Sequence, residues 1–316
     1  MPRVRRHTPV RYVVTGAAGF IGSHLAEALA AAGHDVLGVD AYTDYYERAR
    51  KERNAAELDV LEADLAEAPV ASALAGADGV FHLAGQPGVR ASWGDDFELY
   101  VRRNVLVTQR VFEAAADAGV RVVFASSSSV YGDAEQYPTP ETVEPQPISP
   151  YGITKLACEH LAVANARAHG LDAVVLRYFT VYGPRQRPDM AFTAMLEALA
   201  AGERFRLFGD GSAARSFTYV GDAVAATTAA MERGRAGQVY NVGGGDEATM
   251  NEAIELAEQI SGRTLDVERV AAAPGDVRRT KADVSKAETE LSWAPATSLE
   301  AGMRAQWEWA EVESPA

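Results

Sequence analysis

Short apolar runs and helix-length stretches alternate along the first half of the chain. Residues 12–15, 34–40, 58–61, 79–83, 122–125 and 171–177 are brief and rich in valine, leucine and phenylalanine, the pattern of strands buried on both faces. Between them, residues 20–32, 101–118 and 152–168 read as helices. Strand, helix, strand without a break predicts a doubly wound parallel α/β sheet. After residue 177 the pattern changes. Residues 178–187 hold Tyr182, Gly183, Pro184 and two arginines, which suits a binding loop better than another repeat of the unit. A helix over 190–201 and a strand and turn over 205–211 follow. Residues 216–231, with Phe217, Tyr219 and Val220 leading to a helix opened by Asp222, are expected to return to the first domain. Helices around 251–261, 283–290 and 298–310 complete the chain. The expected organisation is a nucleotide-binding domain over 1–178 with about 216–242, and a smaller C-terminal α/β substrate domain over 179–215 and 243–316.

Composition narrows the function. The 316 residues, 47% hydrophobic, support a sizeable core. A formal net charge of -14 argues against general nucleic-acid binding. An anionic ligand must therefore meet a local positive site, and Arg177, Arg185, Arg187, Arg204, Arg206 and Arg215 gather in one third of the chain, with Arg278 and Arg279 later. The lone Cys158 excludes an internal disulfide and a cysteine-rich metal site, and reads as a packed thiol; no metal is expected. No apolar run approaches the roughly 20 residues that span a bilayer, and the basic residues 1–8 lead into no signal-like hydrophobic region. A cytoplasmic protein without a membrane partner is expected.

The strongest local signal is Gly16-Ala-Ala-Gly19-Phe20-Ile21-Gly22, placed between a strand and a helix. Gly16 permits the tight turn, Gly19 admits a pyrophosphate to the backbone, and Gly22 lets the helix lie close to the sheet. The helix N-terminus, with Phe20 and Ile21, then faces the phosphates. Asp40 ends the next strand and is placed to accept both ribose hydroxyls. A 2′-phosphate would be repelled there, and Ala41 and Tyr42 offer no arginine, so NAD is favoured over NADP. The expected fold is thus a Rossmann-type sheet, with Asp64 and Leu65 bordering the adenine and Leu83, Ala84 and Gly85 bordering the middle of the cofactor. His82 reads as a satisfied strand histidine.

A second signal runs from Ser126 to Lys155. The serines 126–129 sit at the carboxyl end of an apolar strand, where open α/β sheets bind ligands. Ser149-Pro150-Tyr151 opens a helix that sets Tyr151 and Lys155 on one face at i and i+4. A free tyrosine ionises near 10, and holding a phenol half ionised at neutral pH takes roughly 4 kcal/mol. An ammonium and an oxidised nicotinamide ring beside it both act in that direction, which makes the phenol a base.

Together Thr-Gly-Ala-Ala-Gly-Phe-Ile-Gly, His-Leu-Ala-Gly-Gln, Ser-Ser-Ser-Ser-Val-Tyr-Gly, Tyr-Gly-Ile-Thr-Lys and Gly-Asp-Gly-x-x-x-Arg-Ser-Phe-Thr-Tyr-Val resemble the extended short-chain dehydrogenase/reductases that act on nucleotide sugars, over nearly the whole chain. The resemblance implies a catalytic set of Ser127, Tyr151 and Lys155, with Lys155, Asn104 and Tyr178 also at the cofactor. The 4,6-dehydratases of this superfamily carry an Asp-Glu pair where Ser128 and Ser129 stand, and the UDP-glucuronate decarboxylases a glutamate at Ser129. Residues 40–53 and 179–191 are similar to the UDP-glucuronate 4-epimerases. That similarity implies inversion of C4 of UDP-glucuronate through a 4-keto intermediate, with bound NAD recycled. A guanidinium suits the sugar carboxylate, with Arg187 first and Arg185 second, assisted by Ser128, Ser129 or Thr180. Phe208 is expected on the uracil and Arg215 on the diphosphate. Ser216 departs from the acid usual after that arginine, and Ala273 from an arginine that Arg278 replaces. Residues 101–118 and 152–168 are expected to form the four-helix homodimer interface of the family. The alternatives are a UDP-glucose or UDP-N-acetylglucosamine 4-epimerase, a 4-ketosugar reductase, and a non-catalytic NAD-binding regulator.

Overall fold

The computed structural model describes residues 9–271 and 279–313. The first half builds β1 (Arg11–Thr15), α1 (Phe20–Ala31), β2 (Asp35–Asp40), α2 (Arg48–Asn54), β3 (Val60–Glu62), α3 (Val70–Ala73) and β4 (Gly79–His82). It continues with α4 (Phe97–Tyr100), α5 (Val107–Ala118), β5 (Arg121–Ser127), α6 (Pro150–His169) and β6 (Ala173–Tyr178). The second half holds β7 (Thr180–Tyr182), α7 (Ala191–Ala201), β8 (Arg204–Phe208), β9 (Ala214–Tyr219), α8 (Val220–Arg233) and β10 (Val239–Val242). Last come β11 (Glu247–Thr249), α9 (Met250–Ser261), β12 (Asp266–Val270), β13 (Arg279–Thr280), α10 (Ser285–Leu291) and α11 (Leu299–Glu313).

Seven strands pair in the order β10-β6-β5-β4-β1-β2-β3, all parallel, as the alternating pattern predicts. Because successive side chains leave a strand on opposite faces, Val14, Phe81, Val123 and Val174 pack on α1, α8 and α10. Their neighbours Val13, Val80, Val122 and Val175 pack on α3, α5 and α6. Strand order reverses between β1 and β4, so the crevice for a ligand opens there, at their carboxyl ends. A third core joins α7, α9 and α11 to β8 through Phe192, Leu196, Phe205, Leu207 and Trp307. It underlies a smaller sheet in which β9 pairs with β7, β11 and β13, while β8 pairs with β12. Hence β9 belongs to the smaller sheet, and α8 after it returns to the main one.

Several elements differ from the expected ones. The helix expected over 101–118 begins at Phe97 and runs through a π-helical stretch, Val101–Leu106, before α5. The expected loop 178–187 contains β7. Four strands among the described residues, β10 to β13, carry two to five residues each, too few for a period to register. Among the described residues no helix is long and apolar enough to cross a membrane.

Candidate functional site

The turn after β1 is shaped for a close ligand. Gly16 has φ +74°, and a Cβ there would strike the backbone of Ala84, while one on Gly22 would strike the Gly16 carbonyl. No side chain caps the N-terminus of α1, so its leading amides are open to an anion. Asp40 is held in place: Oδ2 accepts from the Ala18 amide at 3.0 Å and Oδ1 from the Tyr42 amide at 2.8 Å. One lone pair on each oxygen remains for a ribose diol. Burial raises the carboxyl above its ordinary pKa, against the Tyr42 amide and the Lys51 charge, which lower it. Bare helix amides, a glycine-lined turn and an anchored carboxylate together fit NAD. Asp64 is half exposed, 3.8 Å from Arg102, whereas the Leu65 side chain lies in the core and offers a cofactor only its backbone.

At the end of β4, His82 is buried with Nδ1 2.7 Å from Thr15 Oγ1 and Nε2 3.1 Å from Thr108 Oγ1. Burial, and then the Lys155 charge, push its pKa down to about 3. It is a neutral strut, as the sequence suggests, and Thr15 Oγ1 in turn receives the Ala84 amide at 3.1 Å. Beyond it Gly85, Asn104 and Lys155 meet. A Cβ on Gly85 would press on Asn104 Oδ1 at 2.9 Å and lie 3.5 Å from Lys155 Nζ. Asn104, on the π-helical stretch, accepts from the Gln86 amide at 2.7 Å and donates to Thr154 Oγ1 at 3.0 Å. The buried thiol of Cys158 donates to its carbonyl at 3.5 Å.

Ser127 closes β5, and its Oγ accepts from the Ser129 amide at 3.2 Å and lies 3.1 Å from Ser129 Oγ. Ser128 to Tyr131 then form a single tight turn. α6 starts with Ser149 as N-cap, accepting from the Gly152 amide at 3.1 Å, and the Tyr151 amide donates to Ser92 Oγ at 3.1 Å. Gly152 abuts the Ser129 carbonyl, so the helix carrying Tyr151 is seated directly on the serine turn. Lys155, only 6% exposed, donates from Nζ to Ala125 O at 2.8 Å and sits 6.0 Å from the Tyr151 ring. Ser127, Tyr151 and Lys155 thus converge around β5 and α6.

Beneath them lies a buried charge network that sequence patterns do not reveal. Glu159 accepts from Arg177 at 2.6 and 3.0 Å and from Ser126 Oγ at 2.5 Å. The Arg177 guanidinium caps the Tyr131 ring at 4.7 Å, and Tyr131 Oη donates to Asn241 at 2.8 Å. Glu159 falls one turn after Lys155, the only signal that marks it.

The remaining predicted residues separate. Arg187 lies on the loop after β7 with its guanidinium gripped by Asp189 at 2.9 and 3.0 Å, and its charge reaches the phenols of Tyr45 and Tyr151. Arg185 instead turns towards α1, at positive φ, pairing with Glu27 at 2.8 Å. Thr180 is half buried at the start of β7. Tyr178 points into the core with its hydroxyl 2.6 Å from Thr227 Oγ1, leaving only its backbone for a cofactor. Phe208 is 42% exposed, beneath the Arg90 guanidinium at 4.3 Å. Arg215 on β9 donates to Ala214 O at 2.9 Å, and its charge reaches Tyr137. Arg278 and Ala273 lie outside the described residues. Among the described residues no cluster of His, Cys, Asp or Glu forms a metal site.

A parallel sheet with an open helix N-terminus, an anchored acid after its second strand and a Ser-Tyr-Lys set at its carboxyl ends defines a dinucleotide-dependent enzyme of the short-chain dehydrogenase/reductase class. Residues 12–243 match the NAD dependent epimerase/dehydratase family, and the chain belongs to it. It is 40% identical over 303 residues to a Bacillus subtilis protein named as an uncharacterized UDP-glucose epimerase, YtcB, covering 93% of this chain and 96% of that one. With the UDP-glucuronate 4-epimerase of Thermodesulfobacterium geofontis it shares 34% over 312 residues, covering 95% and 96%. The crystal structure of the Bacillus cereus UDP-glucuronic acid 4-epimerase in complex with UDP-glucuronic acid and NAD matches with a TM-score of 0.93 and 38% identity, over 96% of this chain and 100% of that one.

Proposed function

We propose that this protein inverts C4 of a UDP-sugar, interconverting UDP-glucuronate and UDP-galacturonate with its NAD retained. NAD, when bound, supplies a hydride acceptor and donor for C4. Tyr151 Oη takes the proton of the C4 hydroxyl and later returns it, and Ser127 Oγ hydrogen-bonds the same oxygen. Lys155, fixed by the Ala125 carbonyl, keeps a positive charge beside the phenol. The 4-keto sugar turns about its bond to the diphosphate and presents its other face. From a uronic acid that intermediate is a β-keto acid, which loses carbon dioxide when the C5–carboxylate bond aligns with the carbonyl π system. Arg187, with Ser128, Ser129 and Thr180, holds the carboxylate out of that alignment.

One observation carries the uronic-acid reading: the Arg187 guanidinium, with Nη1 unpaired among the described residues, lies 5.8 Å from the Tyr45 ring and its charge reaches Tyr151, while Ser128 and Ser129 offer hydroxyls in place of acids. The Arg185 side chain, paired with Glu27, is better placed to steady the cofactor side. Phe208 and Arg215 serve the uracil and diphosphate in this scheme. The lobe of 179–215 and 243–316 takes the nucleotide sugar, and 1–178 with about 216–242 takes NAD. UDP-glucose is the second reading, favoured by the name of the Bacillus subtilis relative. Exposed Phe97, Val101, Leu106, Ile153 and Val163 on the outer faces of α4 to α6 support a homodimer through those helices, and the single buried thiol fits a cytoplasmic setting. Incubating the purified protein, without added NAD, with UDP-glucuronate, UDP-glucose and UDP-N-acetylglucosamine, and following C4 by proton NMR, tests the proposal. Inversion of UDP-glucuronate fastest is expected; inversion of only a neutral sugar would replace it with the second reading.

A further inference from the structure

Arg187 is held by more than its own loop. Asp189 takes Nε–H and one Nη2–H side-on, which leaves three of the five guanidinium donors, including the paired Nη1 and Nη2 edge, free of partners among the described residues. Asp189 is itself held: Tyr45, from the loop between β2 and α2, donates to Oδ2 at 3.1 Å, and the Tyr45 ring lies 5.8 Å from the Arg187 guanidinium. Burial, and then the Asp189 carboxylate, raise the pKa of the Tyr45 phenol, so it stays a donor. Gly88, at φ +98°, leaves the room that the Tyr45 hydroxyl fills, since a Cβ there would collide with it. Tyr100 fixes that same turn by donating to the carbonyls of Pro87 and Gly88 at 2.7 and 2.8 Å, and packs edge-on to Tyr151 with ring centres 6.3 Å apart. Three loops are thereby clamped around one arginine whose side chain is only 21% exposed.

We propose that Asp189 and Tyr45 are positioning residues that present the free edge of Arg187 to the carboxylate of a uronic acid, and so set the preference for that sugar over a neutral hexose. The inference rests on the reading that Arg187 binds the carboxylate. A free arginine side chain loses rotamer entropy when fixed. Here much of that loss falls in folding, before the ligand arrives, and only a ligand that uses the guanidinium gains from it. A neutral hexose does not. The effect therefore resides in the ratio of two affinities.

The test is calorimetric titration of the NAD-loaded protein with UDP-glucuronate and with UDP-glucose, for wild type, Asp189→Asn, Asp189→Glu, Tyr45→Phe and Arg187→Met. Wild type is expected to prefer UDP-glucuronate, and Arg187→Met to abolish the preference. Asp189→Asn should weaken UDP-glucuronate about tenfold with UDP-glucose within about twofold. Asp189→Glu should recover part of the loss, and Tyr45→Phe should show a smaller loss of the same kind. Unchanged or tighter UDP-glucuronate binding in Asp189→Asn would overturn the proposal, since Asp189 would then be idle or a competitor for the guanidinium. Equal losses for both ligands would overturn it too, by reducing the pair to a fold role. If Arg187→Met keeps the preference, the carboxylate assignment itself fails, an outcome distinct from failure at Asp189.

Discussion

In the proposed reaction Tyr151 serves C4 and Arg187 the carboxylate on the neighbouring C5, and their tasks differ in kind. The phenol moves a proton during the reaction, whereas the guanidinium holds a group still. Removing the hydroxyl should therefore abolish turnover while leaving binding almost intact. Tyr151→Phe is expected to lower kcat by about 10²- to 10⁴-fold, with the Kd for UDP-glucuronate within about threefold by titration. A variant that kept its turnover would take Tyr151 out of the proton transfer. Ser127, Tyr151 and Lys155 were candidates from the sequence because each sits in a local spacing that the proposed chemistry constrains. Asp189 and Tyr45 were not: one lies within a loop and the other is 144 residues away from it in sequence, and no local pattern joins them.

Among the elements, β5 and α6 carry the residues proposed for the proton chemistry, and the buried Ser126–Glu159–Arg177 cluster ties the two to β6. Removing Glu159 leaves the buried Arg177 charge without its carboxylate. Glu159→Ala should cost about 3–5 kcal/mol in urea unfolding, and an unchanged midpoint would show that the pair contributes nothing to holding the helix. His82 fixes β4 to β1 and α5 as a neutral ring. Its pKa is about 3 folded against 6.5 for the free side chain, so the unfolded chain takes up a proton that the folded one refuses. Its contribution is complete above pH 6.5 and is lost as pH falls towards 3. Stability should drop by about 1.4 kcal/mol per pH unit from this group alone over that window. A His82→Asn variant, compared by urea unfolding at pH 7 and pH 5, should lose less than wild type; equal losses would contradict the burial argument. Six of the seven main-sheet strands, β1 to β6, were visible as apolar runs, most of them covered on both faces, whereas the four-residue β10 was not. β12, mostly exposed on both sides, and the two-residue β13 have no such runs, and the π-helical stretch at Val101–Leu106 preserves apolar spacing well enough to read as ordinary helix.

For the whole molecule, the doubly wound parallel sheet and the family were readable from the alternation and the motifs, whereas the assembly of the smaller sheet was not, because β9 pairs there with strands from three separate parts of the chain. The outer face of α4 to α6 keeps several large apolar side chains in solvent, more than one chain needs for its own core. Sedimentation should give a dimer, and Val101→Glu with Ile153→Glu should yield monomers that still bind NAD. A wild-type monomer would leave that face unexplained. In the proposed reaction one carbon, C4, loses and regains its own hydrogen. UDP-glucuronate deuterated at C4, incubated in ordinary water with the purified protein and no added dinucleotide, should yield UDP-galacturonate with the deuterium still at C4 by NMR. Product carrying solvent hydrogen at C4, or no inversion at all, would contradict the account.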